Sequence, residues 1–304
     1  MYSRLIAALS ERDDIIIEQN VPMKAYTSFQ VGGPADLFLQ PKSIEALIHC
    51  RVVLQKHGLP YIIMGAGSNL IIADSGIRGA VIRLGKSFSR IKREENALIA
   101  EAGVSLARLA NEALSCGLGG LEFASGIPGS LGGAVYMNAG AYGGEMKDVV
   151  IKTEYIDVDG NLYSIEGDAH EFGYRRSVFM KEDGLIVRST LLLTPKKQED
   201  IRALMQDFNN RRREKQPLTY PSAGSFFKRP EGFFAGKLVE DAGLKGIGIG
   251  GAQVSEKHAG FLINTGGATA KDIIALMQLV QDRVKEQFGV SLVPEVRFLG
   301  DFTE

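Results

Sequence analysis

Glycine is concentrated in one part of this 304-residue chain. Ten of the 28 residues at 117–144 are glycine, and Glu122 is the one charged residue among them. Glycine loses more conformational freedom on folding than other residues, so this density is expected where the backbone turns tightly or approaches a ligand. Consecutive backbone N–H groups in such loops bind anions, commonly phosphate. The segment therefore predicts a structured loop that holds a large phosphorylated ligand.

Two other interpretations of this segment compete with a ligand loop. Residues 123–144 are uncharged and resemble a membrane span, but their proline, serine, asparagine and glycine leave too few bulky apolar residues. A disordered linker is also conceivable, but Ile127, Leu131 and Val135 interrupt the glycines at packing intervals. We therefore expect a folded loop and no membrane association.

The composition is typical of a soluble globular protein, with 45% apolar and 23% charged residues. A net charge of −1 gives no electrostatic basis for a nucleic-acid partner. The apolar run at residues 5–9 is too short for an export signal. Cys50 and Cys116 lack the spacing of a metal or redox motif. We expect a cytoplasmic protein that acts on a small molecule and has no obligatory protein partner.

Hydrophobic periodicity predicts an irregular mixture of helices and strands, and hence an α+β fold. Helices are predicted at residues 43–57, 105–117, 199–213, 233–242 and 271–288. Strands are predicted at residues 61–64, 70–72, 81–84, 97–101, 149–158, 162–165, 185–193 and 295–299. Asp159-Gly160 marks a hairpin turn, and residues 194–197 mark the best domain boundary.

A second glycine-containing loop lies between two predicted strands. Its sequence, Gly65-Ala66-Gly67-Ser68-Asn69-Leu70, resembles the start of a dinucleotide fingerprint. Leu70 stands at the third glycine position, however, and a strand follows where that fingerprint needs a helix. We reject a Rossmann site and expect a loop that wraps a diphosphate, with a plain tight hairpin as the alternative. Two such loops suit FAD better than a mononucleotide.

Three polar side chains outside these loops stand out, each with a plain structural alternative. Ser225 lacks a Gly-x-Ser-x-Gly elbow and, beside two phenylalanines, could be a packed hydroxyl. Glu295 falls within an apolar predicted strand, where Arg297 could neutralise it. One arginine of the Arg175-Arg176 pair could point inward and the other toward solvent.

The remaining charged groups give weaker signals. The basic residues at 211–215 form either a solvated helix end or a phosphate site. The four histidines do not cluster with carboxylates or cysteines at ligand spacing, so we expect no metal; they are His49, His57, His170 and His258.

Together these segments resemble the UDP-N-acetylenolpyruvoylglucosamine reductase (MurB) family of flavoenzymes. The resemblance spans about residues 20–299 and is carried by residues 27–36, 65–72, 125–143, 174–175, 224–228 and 294–298. It implies an α+β fold with a two-lobed FAD-binding region of the vanillyl-alcohol-oxidase (PCMH) type and a C-terminal α+β substrate-binding domain. The implied limits are 1–76 and 77–197 for the FAD-binding lobes and 198–304 for the substrate-binding domain.

The resemblance also implies the cofactors, which are FAD and NADPH. Neither glycine-containing loop carries a histidine or cysteine to which flavin could bond, so we expect noncovalent FAD. The residues expected to bind it are Gly65, Ala66, Gly67, Ser68, Asn69, Leu70, Gly126, Ile127, Pro128, Gly129, Ser130, Gly132, Gly133, Asn138, Gly140, Ala141 and Gly143.

The implied activity is reduction of UDP-N-acetyl-3-O-(1-carboxyvinyl)glucosamine to UDP-N-acetylmuramate in peptidoglycan precursor synthesis, and hence a role in cell-wall biogenesis, cell shape and cell division. Ser225 matches the family's proton donor, and Arg175 and Glu295 match the residues that stabilise the enolpyruvyl group. The implied substrate contacts are Tyr174, Lys215, Gly224, Lys228 and Arg229.

The chain resembles the shorter type of this family. Longer members carry an extra tyrosine-bearing loop, which cannot be placed between Phe234 and Glu295. Two rival functions are an FAD-dependent oxidase of the same fold and a nucleotide-binding regulator without catalytic activity.

Overall fold

The computed structural model describes residues 2–302 and divides them into two compact units. Unit 1 consists of Met1–Gln19, Leu37–Ala66 and Gly79–Arg211, and unit 2 of Asn20–Asp36, Gly67–Arg78 and Arg212–Glu304, within those limits. Each unit is therefore built from three separate stretches of chain. The division at residues 76 and 197 cuts the chain differently and stays a prediction about its domains.

Seven helices occur in the described residues. They are α1 (Ser3–Leu9), α2 (Ile44–Lys56), α3 (Leu106–Ser115), α4 (Leu131–Met137), α5 (Gln198–Lys215), α6 (Ala235–Asp241) and α7 (Ala270–Phe288). Serine hydroxyls begin two of them, because Ser43 accepts a hydrogen bond from the N–H of Ala46 and Ser105 one from the N–H of Arg108. These caps confirm the predicted starts of α2 and α3.

The strands are short and numerous. The first nine are β1 (Ile15–Pro22), β2 (Pro34–Pro41), β3 (Tyr61–Met64), β4 (Leu70–Ile72), β5 (Ile77–Arg83), β6 (Ile91–Glu94), β7 (Ala97–Glu101), β8 (Leu118–Gly119) and β9 (Gly140–Ala141). The others are β10 (Gly144–Glu145), β11 (Val150–Ile156), β12 (Leu162–Glu166), β13 (Leu185–Leu192), β14 (Thr194–Pro195), β15 (Gly248–Ile249), β16 (Ala252–Val254), β17 (Leu262–Asn264) and β18 (Arg297–Leu299). The mixture confirms the α+β class.

Unit 1 contains a five-stranded antiparallel sheet in the order β12-β11-β13-β7-β6. The predicted hairpin at Asp159-Gly160 joins β11 to β12. A four-stranded sheet has the order β1-β2-β5-β3, with β3 and β5 parallel. One apolar core, with fully buried side chains such as Leu39, Leu98 and Leu109, holds the unit together. Residues 194–197, the predicted domain boundary, lie within this unit.

Unit 2 has a core of its own, built around Phe226, Leu262 and Ile273. Its sheets are a three-stranded antiparallel one, β15-β16-β17, and a parallel pair, β4 with β18. Helix α7 supplies the longest apolar face and ends at Gly289, whose φ of 70° is left-handed. The predicted strand at 295–299 begins only at Arg297, so Glu295 precedes it.

The glycine-rich segment is more regular than predicted. Residues 131–137 form helix α4 despite Gly132 and Gly133, and β9 and β10 form a hairpin beyond it. Within residues 2–302, no helix has the length and apolar character needed to cross a membrane.

Candidate active site

The first glycine-containing loop, residues 65–70, joins β3 to β4. These strands do not pair with each other, since β3 pairs with β5 and β4 with β18. The tight-hairpin interpretation is therefore wrong. Gly65 and Ala66 belong to unit 1, and the remaining loop residues belong to unit 2. Gly67 has a φ of 66°, a conformation that favours glycine, and its carbonyl accepts a hydrogen bond from the N–H of Ser28.

The second glycine-rich segment meets the first within unit 1. A Cβ built on Gly65 would clash with Oγ of Ser130, the residue that precedes α4. A Cβ on Gly133, by contrast, would have only Ser130 Oγ near it, at 3.7 Å. Bare backbone thus lines the place where the two segments converge. A side chain at position 65 would collide with Ser130, so the close approach of the two segments requires glycine there.

The stretch before α4 carries the next expected FAD contacts, Gly126, Ile127, Pro128 and Gly129. Pro128 is exposed, and the other three residues are half-buried. The carbonyl of Gly129 accepts a hydrogen bond from the N–H of Leu106 at 3.1 Å. Helix α3 therefore fixes the backbone of this stretch from one side and leaves Pro128 on the surface.

Several glycines of the segment are required by the fold itself. A Cβ on Gly132 would lie 2.9 Å from Cβ of Ala102, and one on Gly140 would lie 2.6 Å from the carbonyl oxygen of Gly144. Tyr142 and Gly143 have φ values of 53° and 88° and connect β9 to β10, as in a type I′ turn. Internal packing and turn geometry therefore explain these glycines without a ligand.

Asn138 ends helix α4 in a left-handed conformation and has no exposed surface. Its side-chain nitrogen donates to Oε2 of Glu145 at 2.7 Å and to the carbonyl oxygen of Gly173 at 2.9 Å. Its side-chain oxygen accepts from the N–H of Lys147 at 2.9 Å. The amide that was expected to contact FAD is thus surrounded by protein groups.

Arg175 lies in a tight turn of unit 1. Gly173 and Arg176 exchange two backbone hydrogen bonds across it, and Arg175 has a φ of 52°. The guanidinium of Arg175 donates to the carbonyl oxygen of Gly140 at 3.3 Å and lies 5.3 Å from the ring centroid of Tyr174. Arg175 is half-buried, whereas Arg176 and Tyr174 are exposed. This confirms that one arginine of the pair faces inward, and it places Arg175 beside the glycine-rich segment.

Ser225 and Glu295 lie on adjacent segments of unit 2. The N–H of Glu295 donates to the carbonyl oxygen of Phe226, and the N–H of Lys228 donates to that of Val293, both at 2.8 Å. Ser225 is exposed although Phe226 and Phe227 beside it are buried. The Ser225 hydroxyl donates to the carbonyl oxygen of Phe227 at 3.5 Å, but the packed-hydroxyl interpretation requires a buried residue and is therefore wrong.

The first loop reaches this part of unit 2 through Asn69. Its side-chain nitrogen donates to the carbonyl oxygen of Glu295 at 3.2 Å, and its own carbonyl accepts from the N–H of Arg297 at 2.9 Å. These bonds extend the parallel pairing of β4 with β18. One expected FAD-binding residue and one expected catalytic residue are thereby held side by side.

The predicted substrate contacts in unit 2 are spread along its surface. Lys228 is half-buried, and Arg229 is exposed with its guanidinium 4.0 Å from the ring centroid of Phe234. Gly224 has a φ of 80° immediately before Ser225. Lys215 is exposed at the end of α5, but Arg212 in the same basic cluster is buried. The cluster is therefore only partly a solvated helix end.

Family models match two regions of this chain, one toward its N-terminus and one near its C-terminus. An FAD binding domain model matches residues 35–166, and a model of the UDP-N-acetylenolpyruvoylglucosamine reductase C-terminal domain matches residues 216–299. UDP-N-acetylenolpyruvoylglucosamine reductase from Caldanaerobacter subterraneus is 50% identical, with 93% of each chain covered. That from Syntrophomonas wolfei is also 50% identical, with 99% of this chain and 100% of the relative covered.

The chain belongs to the UDP-N-acetylenolpyruvoylglucosamine reductase family. The crystal structure of the family member from Thermus caldophilus superposes with a TM-score of 0.82, at 35% identity, and covers 94% of this chain and 100% of its own. Membership confirms the predicted enzyme class, an FAD-dependent reductase with an FAD-binding region and a C-terminal domain of the reductase type.

Two side chains outside the predicted set hold the backbone around the predicted site residues of unit 1. Glu145 accepts from Asn138, and Ser177 donates to the carbonyl oxygen of Tyr136 at 2.7 Å. Neither carries a sequence signal, because the bond from Ser177 spans 41 positions and that of Glu145 depends on the turn between α4 and β10.

The described residues contain no cluster of metal ligands, and the buried thiol of Cys50 is unreactive. Burial raises the pKa of Cys50 to about 12, so this thiol stays protonated at neutral pH. Within residues 2–302, no three histidine, cysteine, aspartate or glutamate side chains lie close enough together to hold a metal ion.

Proposed function

We propose that this chain uses NADPH to reduce the enolpyruvyl ether of its UDP-sugar substrate, giving UDP-N-acetylmuramate for peptidoglycan precursor synthesis. The observation that carries the proposal is 50% identity to a named UDP-N-acetylenolpyruvoylglucosamine reductase over 99% of this chain. FAD, when bound, supplies the relay that accepts hydride from NADPH and passes it to the substrate. The protein's own residues bind the substrate, orient it and supply the proton.

The two glycine-containing segments are proposed to hold FAD without a covalent bond. Support comes from the convergence of Gly65 with Ser130 and from the absence of histidine and cysteine at residues 65–70 and 126–143. Denaturing the purified protein should therefore release its yellow flavin completely into a filtrate. Flavin retained with the precipitated chain would contradict this mode of binding.

Ser225 is proposed as the proton donor. Hydride addition to the terminal carbon of the enolpyruvyl group leaves negative charge on the adjacent carbon. A serine hydroxyl is a weak acid, but a carbanion is basic enough to take its proton within hydrogen-bond reach. Exposure of Ser225 immediately before two buried phenylalanines supports the assignment, because the residue is accessible while the chain beside it is held by packing.

Arg175 and Glu295 are proposed to stabilise the charge that spreads into the substrate carboxylate. Fixed donors aimed at developing charge lower a barrier more than any other single effect. The guanidinium of Arg175 donates to the carbonyl oxygen of Gly140. The backbone of Glu295 donates to the carbonyl oxygen of Phe226 and accepts from the side-chain amide of Asn69. Glu295 would serve as a donor in its protonated form. The substrate contacts remain Tyr174, Lys215, Gly224, Lys228 and Arg229.

The chain is inferred to be of the shorter type. Between Phe234 and Glu295 the helices α6 and α7 and strands β15 to β17 occupy most of the sequence. The longest connections, residues 255–261 and 289–296, leave little room for an additional substrate-covering loop.

The same proposal assigns the enzyme to the cytoplasm and to cell-wall biogenesis, with consequences for cell shape and division. We infer a small-molecule substrate and no nucleic-acid, membrane or obligatory protein partner. The net charge of −1 supports the first of these exclusions.

Anaerobic rapid mixing tests the function directly. NADPH should bleach the flavin absorbance, and the UDP-sugar enolpyruvyl ether should then restore it without oxygen. Failure of NADPH to bleach the flavin would favour the oxidase. Absence of substrate-dependent NADPH consumption would favour a regulator without catalysis.

A further inference from the structure

Backbone strain is concentrated around Arg175. Seven non-glycine residues of the described chain have positive φ, and four of them lie between positions 138 and 175: Asn138, Tyr142, Glu171 and Arg175. Asparagine adopts this conformation readily at a helix end, but for a larger side chain such as arginine it is uncommon and costs free energy. At Arg175 this conformation sits at the tip of the turn formed by Gly173 to Arg176.

Two side-chain bonds attach this turn to the end of helix α4. Before the turn tip, the carbonyl oxygen of Gly173 accepts a hydrogen bond from Nδ2 of Asn138 at 2.9 Å. After it, the hydroxyl of Ser177 donates to the carbonyl oxygen of Tyr136 at 2.7 Å. Asn138 and Ser177 are both fully buried. The turn is therefore held on both sides of Arg175.

The amide of Asn138 is itself oriented without ambiguity. Its oxygen faces the N–H of Lys147, and its nitrogen faces a carboxylate oxygen of Glu145 and the carbonyl oxygen of Gly173. A rotated amide would place oxygen against two acceptors. Glu145 is fixed in turn, because it shares reciprocal side-chain-to-backbone bonds with Asp148.

We propose that Asn138 is a positioning residue that holds the Arg175 turn in its catalytic conformation. The inference rests on the proposed role of Arg175 in the reductase reaction. It also replaces the expectation that the Asn138 side chain contacts FAD, since this side chain has no exposed surface. Asn138 acts on the reaction only through the turn.

The test compares the two half-reactions in purified holoenzyme. Asn138→Ala should keep bound flavin and its reduction by NADPH, because neither needs Arg175. The rate of hydride transfer from reduced flavin to the substrate should fall by about 10- to 100-fold, since small displacements of a catalytic group have effects of this size. Asn138→Asp should slow it more, because a second carboxylate would face Glu145 and a carbonyl oxygen. Asn96→Asp, at an exposed position, is the matched control.

A double-mutant cycle separates positioning from general structural damage. In an Arg175→Ala background, Asn138→Ala should cause little further loss, because no guanidinium remains to be positioned. Ser177→Ala should behave in the same way, and it carries the test if the Asn138→Ala protein does not fold.

The outcomes are distinguishable. Equal losses from Asn138→Ala in both backgrounds, or an equal slowing of flavin reduction by NADPH, would overturn the positioning role. An unchanged second half-reaction in Asn138→Ala would overturn it as well, while activity of the wild type would leave the proposed function standing. A wild type that does not reduce the enolpyruvyl ether would overturn both.

Discussion

At the scale of single residues, the catalytic proposal depends on hydroxyl and carboxyl groups carried by backbone that packing and hydrogen bonds hold in place. Ser225 precedes two buried phenylalanines that are part of the unit 2 core, so its position is set by packing although its own side chain is exposed. The N–H of Phe226 donates to the carbonyl oxygen of Gly260, and its carbonyl accepts from Glu295. Substitutions at Ser225 and Glu295 should therefore change chemistry more than folding.

Ser225→Ala should separate the two half-reactions. Bound flavin and its reduction by NADPH should be unchanged, and the transfer to substrate should slow by about 10²- to 10⁴-fold, the contribution of one positioned proton donor. Anaerobic stopped-flow absorbance measures each step. Ser291→Ala, at another exposed serine of unit 2, is the control. Full turnover in the Ser225 variant would remove this residue from the proton-donor role.

Replacing Glu295 by glutamine and by alanine should slow the second half-reaction to different extents. Glu295→Ala should reduce the second half-reaction by about 10²- to 10³-fold, as expected when one donor to developing charge is lost. Glu295→Gln should lose less, because its amide can still donate a hydrogen bond. The measurement is the same stopped-flow step, with Glu231→Gln as an exposed control. Equal losses in both variants would contradict a donor role.

At the scale of elements, the sequence predicted those helices, strands and turns that interactions between neighbouring residues determine. The capped helices α2 and α3, the strand β3 and the hairpin at Asp159-Gly160 follow from neighbouring residues and were predicted within a few positions. Strand β1 and helix α4 were not predicted. Helix α4 contains a glycine pair of low intrinsic propensity, and its formation depends on packing such as that of Gly132 on Ala102.

In the candidate site, too, local features were predictable and contacts between distant residues were not. Its glycine-containing loops were visible in the sequence, but the bonds from Asn138 to Gly173 and from Asn69 to Glu295 connect residues 35 and 226 positions apart. No local pattern encodes such pairs. The misplacement of Glu295 inside a strand has the same cause, because β18 is defined by its pairing with β4.

Helix α7 offers a test of element stability. Thr269 accepts from the N–H of Asp272, while the carboxylate of Asp272 accepts from the N–H of Thr269. The backbone bond from Thr269 holds the pKa of Asp272 below its usual value. Thr269→Ala should lower the free energy of unfolding of unit 2 by about 1 kcal/mol, and Thr269→Ser by less. Denaturant unfolding measures this, with exposed Thr219→Ala as control; no difference between the alanine variants would refute the cap.

At the scale of the whole molecule, each unit has a separate core assembled from three stretches of sequence. The prediction of a boundary at residues 194–197 assumes that a domain is continuous in sequence, but these residues lie within unit 1. There β14 pairs with β8, whose residues are more than 70 positions earlier. Such discontinuity is fixed by strand pairing and is not encoded in local composition.

Each unit also contains one histidine that folding keeps neutral. Burial lowers the pKa of His170 in unit 1 and of His258 in unit 2. His170 lies against the carbonyl oxygen of Gly167, so its Nδ1 carries the proton and its Nε2 accepts from Thr153. His258 accepts from the N–H of Gly260 through Nδ1. In both rings a second proton would bind to the accepting nitrogen and break the hydrogen bond that it accepts.

Mild acid should therefore destabilise both units. A histidine whose pKa is lower in the folded state stabilises the fold fully above its unfolded pKa, near 6.5, and this contribution is lost as the pH falls below that value. Each tenfold difference between the two acid constants corresponds to about 1.4 kcal/mol. Denaturant unfolding at pH 7.5 and 5.5 should show a smaller loss of stability in His170→Gln and in His258→Gln than in the wild type. Exposed His57→Gln should behave like the wild type; an identical loss in all four proteins would assign the acid sensitivity to the carboxylates instead.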